Sequence, residues 1–263
     1  MDIFKKFTAR AVKLVSGRAS AALFCDYAYA NEMKTPVHPG YVRGSRNRGA
    51  LEMEYAADGP EKVEEKIFKT GNTDPKGVQN IHVWYPASME EGKKYPLLII
   101  SNGMEFSCTS FIAILQHLAS WGFIAAGNDA LNSGSGETAA KTLEKMLSEN
   151  EKQGSLFHDR IDLDHIGGIG YFQGGAGAIR QATISKNKDH YSALYLASPM
   201  TLPFIEKAKA AAWSYDPSQI TVPVFIASGG DGIENGILAP KEDMEGIYQA
   251  AKGPAVIGRM KGE

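Results

Sequence analysis

From residue 80 onward, short apolar runs alternate with stretches of helical periodicity, and this alternation narrows the possible folds more than any other feature. The runs are Ile81–Tyr85, Leu97–Ser101, Phe123–Gly127, Ile166–Gly170, Ala193–Ala197, Val222–Ala227 and Ala255–Met260. Helical stretches separate them. In 109–120, Phe111, Ile114, Leu115 and Leu118 fall on one face; 137–150 opens with an acidic turn and continues in good helix formers. Residues 174–186 and 242–252 follow, the latter with Met244, Ile247, Tyr248 and Ala251 as its stripe. Strands alternating with helices are βαβ units, so the sequence predicts an α/β class fold with a mostly parallel, doubly wound sheet flanked by helices.

A chain of 263 residues is long enough for one such domain with a real core. With 43% hydrophobic and 22% charged residues it has the composition of a soluble globule. A net charge of -2 gives no electrostatic basis for binding nucleic acid or an anionic membrane. No apolar run has the length of a membrane span. Two cysteines, Cys25 and Cys108, make neither a disulfide framework nor a metal site; they are one bridge or, on the reading preferred here, two reduced thiols.

The N-terminus is basic, with Lys5, Lys6, Arg10, Lys13 and Arg18 interrupting any apolar core of an export signal. Phe4, Phe7, Ala11, Leu14 and Val15 lie at roughly helical spacing, which predicts a short amphipathic helix. A cytoplasmic location is expected, with a remodelled export signal as the alternative. Residues 31–60 read as loop, and their basic cluster at Arg43, Arg46 and Arg48 reads as a solvated surface. The expected organisation is an N-terminal helix and loop extension over 1–50 and an α/β domain over 51–263.

The segment that carries chemistry is Ile166-Gly-Gly-Ile-Gly-Tyr-Phe-Gln-Gly-Gly-Ala176, an apolar strand entering a Gly-rich turn and then a helix. The nucleophile elbow G-x-S-x-G requires this context, because so sharp a turn admits only small residues two positions either side of its apex. Gly170 and Gly174 hold those positions, and the apex is Phe172 where serine is expected. A dinucleotide fingerprint fits poorly, since Gly168, Gly170 and Gly174 lack its spacing. The retained glycines predict a strained or positive φ at Phe172, with its ring turned towards the former active site.

This segment resembles the G-H-S-Q-G-G elbow of the α/β-hydrolase superfamily. The chain is further similar to the branch of dienelactone-hydrolase-like enzymes and cutinase-like polyester hydrolases. The resemblance rests on Gly59-Pro60 before a first strand, Val83-Trp-Tyr-Pro86, Tyr95-Pro-Leu-Leu-Ile-Ile-Ser-Asn-Gly103, Leu118-Ala-Ser-Trp-Gly-Phe123, Asp162, and Val222-Pro-Val-Phe-Ile-Ala-Ser228. It implies an oxyanion hole made by the backbone N–H groups of Met104 and Gln173; Met104 reads equally as a wall of the pocket. It implies Asp231 as the triad acid, with Glu234 as the alternative and Leu238-Ala-Pro240 downstream of both. It implies Phe204 as a substrate-stacking aromatic, or else plain core, with Trp213 and Tyr215 as further candidates. No cofactor or metal is implied. The partner expected is a small apolar or ester ligand.

Two features oppose catalysis. Phe172 has no nucleophilic atom, and none of His38, His82, His117, His158, His165 and His190 follows Asp231, where the family places its base. The resemblance also leads one to expect a final loop and helix beyond Ala255–Met260, and their absence to leave a sheet face bare and open to self-association. The expectation is therefore a relative of the carboxylic-ester hydrolases that is catalytically defective. It is a fragment, an altered form or a retired enzyme, with a non-catalytic binding module as the alternative. A different catalyst built on Cys108 has no assignable base.

Overall fold

A computed structural model describes residues 50, 54, 55, 57–229 and 234–259. Eight strands form one sheet in the order β1-β2-β4-β3-β5-β6-β7-β8. They are β1 (Val63–Lys69), β2 (Asn80–Pro86), β3 (Tyr95–Ser101), β4 (Ile124–Asn128), β5 (Ile161–Tyr171), β6 (Tyr191–Ala197), β7 (Val224–Ser228) and β8 (Ala255–Arg259). β2 pairs antiparallel with both β1 and β4, and every other pairing is parallel, so β2 alone runs against the rest. The helices are α1 (Ile112–Ser120), α2 (Glu137–Glu151), α3 (Gln173–Thr183), α4 (Leu202–Lys207) and α5 (Lys241–Ala250). The α/β architecture is thus the one that the alternation of runs predicts.

Strand pleating divides the core into two layers. On one face Leu97, Ile99, Ile124, Ala126, Ile166 and Leu196 meet Leu143 and Met146 of α2, Ile179 of α3 and Met244 and Ile247 of α5. On the other face Trp84, Ile100 and Ala125 meet Leu115 and Ala119 of α1, with Leu98 and Ile169 at the margin. The central strands β3 and β4, and β5 from Ile166 onward, are apolar on both faces because both faces are covered there. Burying each large aliphatic side chain contributes about 1.5–3 kcal/mol.

The differences from the sequence reading have local causes. β1 follows Gly59-Pro60, yet its sequence VEEKIFK shows no apolar alternation because most of the strand is exposed at the sheet edge. β7 begins at Val224 and not Val222, since Pro223 has no N–H to give a ladder. The first helix starts at Ile112, preceded by a 3-10 turn, Cys108–Phe111, whose N-cap Ser107 accepts from the Thr109 N–H. The six-residue α4 is too short to show a period; Thr201 caps it by accepting from the Phe204 N–H.

Candidate functional site

The carboxyl end of β5 and the start of α3 form the centre of the candidate site. Between Tyr171 and Gln173 the chain turns on Phe172, at φ 50, ψ -110. An L-residue reaches this conformation only where its surroundings impose it, at a cost of about 1–3 kcal/mol. The constraint is visible on both sides. The Phe172 N–H donates to the Ala197 carbonyl (3.0 Å), and its own carbonyl accepts from the Met200 N–H (2.7 Å) and the Gly175 N–H (3.0 Å). A Cβ at Gly170 would lie 2.4 Å from the Gly174 carbonyl oxygen, and one at Gly174 would lie 2.0 Å from the Ser101 oxygen and 2.4 Å from that of Asn102. Two backbone segments therefore approach so closely that only glycine fits. The strain expected at Phe172 is present, and it is stored in a turn pressed against the end of β3.

The turn is braced by polar side chains that the sequence reading did not single out. Asn102 Nδ2 donates to the carbonyls of Asn128 (2.7 Å) and Ala130 (2.9 Å). The Ser133 hydroxyl donates to the Asn102 carbonyl, and the Ser133 N–H donates to Gln173 Oε1 at 3.1 Å. Asn102, Asn128, Ser133 and Gln173 are all buried. Together they bind the loops after β3 and β4 to the first turn of α3. A polar residue directly after an apolar run, as Asn102 and Asn128 both are, was the available signal.

The other residues singled out in the sequence fall as follows. Met104 stands in the loop after β3, partly buried against the same core layer as Phe172, Leu202, Phe204 and Trp213. A Cβ at the preceding Gly103 would lie 2.8 Å from the Tyr171 ring, which sets this loop against the elbow. Gln173 is the first residue of α3, and neither its N–H nor that of Met104 donates to a backbone carbonyl among the described residues. Phe204, in α4, meets the Phe172 ring edge to face, with centroids 5.4 Å apart. The Trp213 ring lies 2.7 Å from where a Cβ on Gly134 would stand, and Gln173 Cγ lies 2.9 Å from the same point. Tyr215 belongs to the core instead: it is buried, and its hydroxyl donates to the Met200 carbonyl at 2.9 Å.

Asp231 lies outside the described residues. Of Glu234, only the backbone is described, opening a π-helical turn, Glu234–Leu238. His38, Arg43, Arg46, Arg48 and Cys25 also lie outside them.

The described imidazoles stand away from this turn. His82 on β2 pairs with Glu65 (2.7 Å), and β2 is three strands from β5, about 14 Å at ordinary strand spacing. His165 pairs with Asp162 (2.8 Å) near the start of β5; at about 3.3 Å per residue it is about 23 Å along the strand from Phe172. His158 Nδ1 lies 3.1 Å from the Asn150 carbonyl oxygen, His117 Nδ1 lies 3.5 Å from Asp58, and His190 ends a 3-10 turn at the amino end of β6. Cys108 is a free, buried thiol, and burial, reinforced by the charges of Asp129 and Glu65, pushes its pKa far above the usual thiol range. It is therefore a poor nucleophile.

Among the described residues no group of three or more His, Cys, Asp or Glu side chains is arranged to hold a metal ion. No described helix is long and apolar enough to cross a membrane. Neither a known family model nor a curated protein matches this chain.

Proposed function

We propose that this chain is an α/β-hydrolase-type protein related to the serine carboxylic-ester hydrolases, and that it has lost the hydrolytic step. Three features support the relationship: the strand order with β2 alone reversed, the strand–turn–helix at Ile161–Thr183, and the positive φ at the apex of that turn. The loss of hydrolysis rests on one observation above all. The apex of the strained turn is Phe172, whose benzyl side chain has no lone pair to attack an acyl carbon.

In an intact relative, a serine at position 172 would attack the ester carbonyl, Asp231 would orient a histidine, and the N–H groups of Met104 and Gln173 would hold the oxyanion. Both N–H groups belong to the backbone and outlast the loss of serine. An ester or other small apolar carbonyl compound could then be held without acyl transfer. The proposal needs no cofactor and no metal.

A second reading, a non-catalytic binding module for a small apolar or ester ligand, is favoured by the apolar rim. Met104, Phe172, Leu202, Phe204 and Trp213 are all partly buried against one core layer at the carboxyl ends of the strands, where α/β sheets bind ligands.

Titration with p-nitrophenyl butyrate tests both readings. Nitrophenol release should equal the buffer control while tryptophan fluorescence responds saturably. Release above the control overturns the loss of hydrolysis, and a flat fluorescence signal overturns the binding module.

A further inference from the structure

One face of α3 is turned to the loop between β4 and α2. Gln173, Gly177, Arg180 and Gln181 recur at helical spacing and share that face. Each meets a successive part of the loop. Gln173 Oε1 accepts from the Ser133 N–H at 3.1 Å. A Cβ at Gly177 would lie 2.1 Å from the Ser133 carbonyl oxygen, so helix and loop meet backbone to backbone. Gln181 Nε2 lies 2.9 Å from where a Cβ on Gly136 would stand. Arg180 joins this loop to a second segment. Its Nε donates to the Ser135 carbonyl (2.9 Å), and its Nη1 donates to the Ser214 carbonyl.

Those two carbonyls flank the contact between Gly134 and Trp213. Ser135 follows Gly134, and Ser214 follows Trp213. Cγ and Cδ2 of the Trp213 ring both stand 2.7 Å from the place of a Cβ on Gly134, so glycine alone gives the ring this seat. Gln173 Cγ stands 2.9 Å from the same point, which sets the ring beside the first residue of α3. Trp213 ends a 3-10 turn, Ala211–Trp213. The turn's own bonds, from the Trp213 N–H to Ala210 and from the Ser214 N–H to Ala211, are local and do not attach it to the loop. The guanidinium does, with two donors in a fixed fork, and bonds from a cation are stronger than those between neutral groups.

We infer that Arg180 is a positioning residue of the candidate site. It holds Trp213 in the wall, against Gly134 and beside Gln173, and so sets the shape in which a small apolar ester is received. It acts through Trp213 and touches no ligand itself. The ligand in this inference rests on the binding-module reading, whereas the link from Arg180 to Trp213 rests on the hydrogen bonds and the seat.

Tryptophan emission of the full chain tests the link. Trp84 is fully buried in the other core layer and Trp121 caps α1, so Trp213 is the tryptophan that this contact concerns. Arg180→Ala should shift emission to the red and raise its quenching by acrylamide. In a Trp213→Phe background the same substitution should change neither. Gly134→Ala removes the seat but keeps Arg180, and it should give the same red shift. Arg180→Lys replaces the fork by a single ammonium and should fall between; it carries the test if Arg180→Ala does not fold.

Calorimetric titration with p-nitrophenyl butyrate tests the effect on the ligand. Kd should be about tenfold weaker in Arg180→Ala, similarly weak in Trp213→Ala, and no weaker in the double variant. Unchanged emission in Arg180→Ala overturns the inference. A shift that persists in the Trp213→Phe background does so too, because it marks a general loosening. Losses of affinity that add in the double variant also overturn it, since the two residues then act separately. A wild type that takes up no ester overturns the binding-module reading and the ligand part of this inference with it, while the emission comparison still decides the link to Trp213.

Discussion

The Phe172 ring meets the Phe204 ring at 78°, with centroids 5.4 Å apart, and both side chains pack against the main core layer. An edge-to-face pair of this kind contributes about 0.5–1.5 kcal/mol beyond the area it buries. At Phe172 that gain opposes a backbone strain of about 1–3 kcal/mol. Shortening the side chain separates the two effects. Phe172→Gly and Phe172→Ala lose the same ring contact, but only glycine is at ease at φ 50. Urea denaturation should find Phe172→Gly more stable than Phe172→Ala by about 1 kcal/mol, the reverse of the usual order in a structured segment. The usual order would mean that the turn is relaxed.

The close approach of the elbow to β3 gives a larger effect. An alanine Cβ at position 174 would stand 2.0 Å from a backbone oxygen, and neither segment has a flexible side chain to yield. Gly174→Ala should cost about 3 kcal/mol or more, at or above the upper end of ordinary overpacking. Gly236→Ala is the control, because nothing lies within 4 Å of its Cβ position, and it should stay within about 0.5 kcal/mol of the parent. The comparison is of urea midpoints.

Much of the fold was legible in the sequence because its interior strands are buried on both faces. Leu97–Ser101 and Phe123–Gly127 are continuous apolar runs for that reason, and the elbow was legible because Gly170 and Gly174 leave a spacing that few other turns require. β1 was hidden in the composition, being an edge strand with charged residues on most of its length. The bracing of the elbow by Asn102, Asn128 and Ser133 was hidden for another reason. These residues come from two segments, the loop after β3 and the end of β4 with its following loop, and only the sheet order brings them to Gln173. Tyr215 read as a pocket aromatic because sequence shows its type but not that its hydroxyl is spent on Met200.

A serine at the apex should not by itself give turnover. Phe172→Ser places a hydroxyl at the apex, but His82, His158 and His165 lie against Glu65, Asn150 and Asp162, His117 sits on α1 near Asp58, and His190 stands at the amino end of β6. Without a base the hydroxyl stays protonated. Hydrolysis of p-nitrophenyl butyrate by this variant should equal the buffer control. Substantial turnover would show that a base reaches the elbow.

Acid should weaken the fold partly through Glu149. Burial acts to raise the pKa of its carboxyl, but hydrogen bonds from Lys145 (2.6 Å) and Ser155 (2.7 Å) outweigh it and hold the group below the ordinary glutamate value. The unfolded chain therefore takes up this proton first as the pH drops. The stabilisation is present above the unfolded value of about 4.3 and is lost as the pH falls through the lower folded value. Glu149→Gln should lower stability at neutral pH and flatten the acid limb of a stability–pH curve measured by chemical denaturation. An unchanged acid limb would remove Glu149 from the account.

The central claim is that the apex of the elbow carries no nucleophile. Intact mass measured after incubation with a fluorophosphonate reads this directly, because the probe bonds covalently to an activated serine and leaves an adduct whose position peptide mapping can find. The account predicts a wild-type mass unchanged by the probe. A stoichiometric adduct on any residue at the carboxyl ends of β3 to β7 would contradict it.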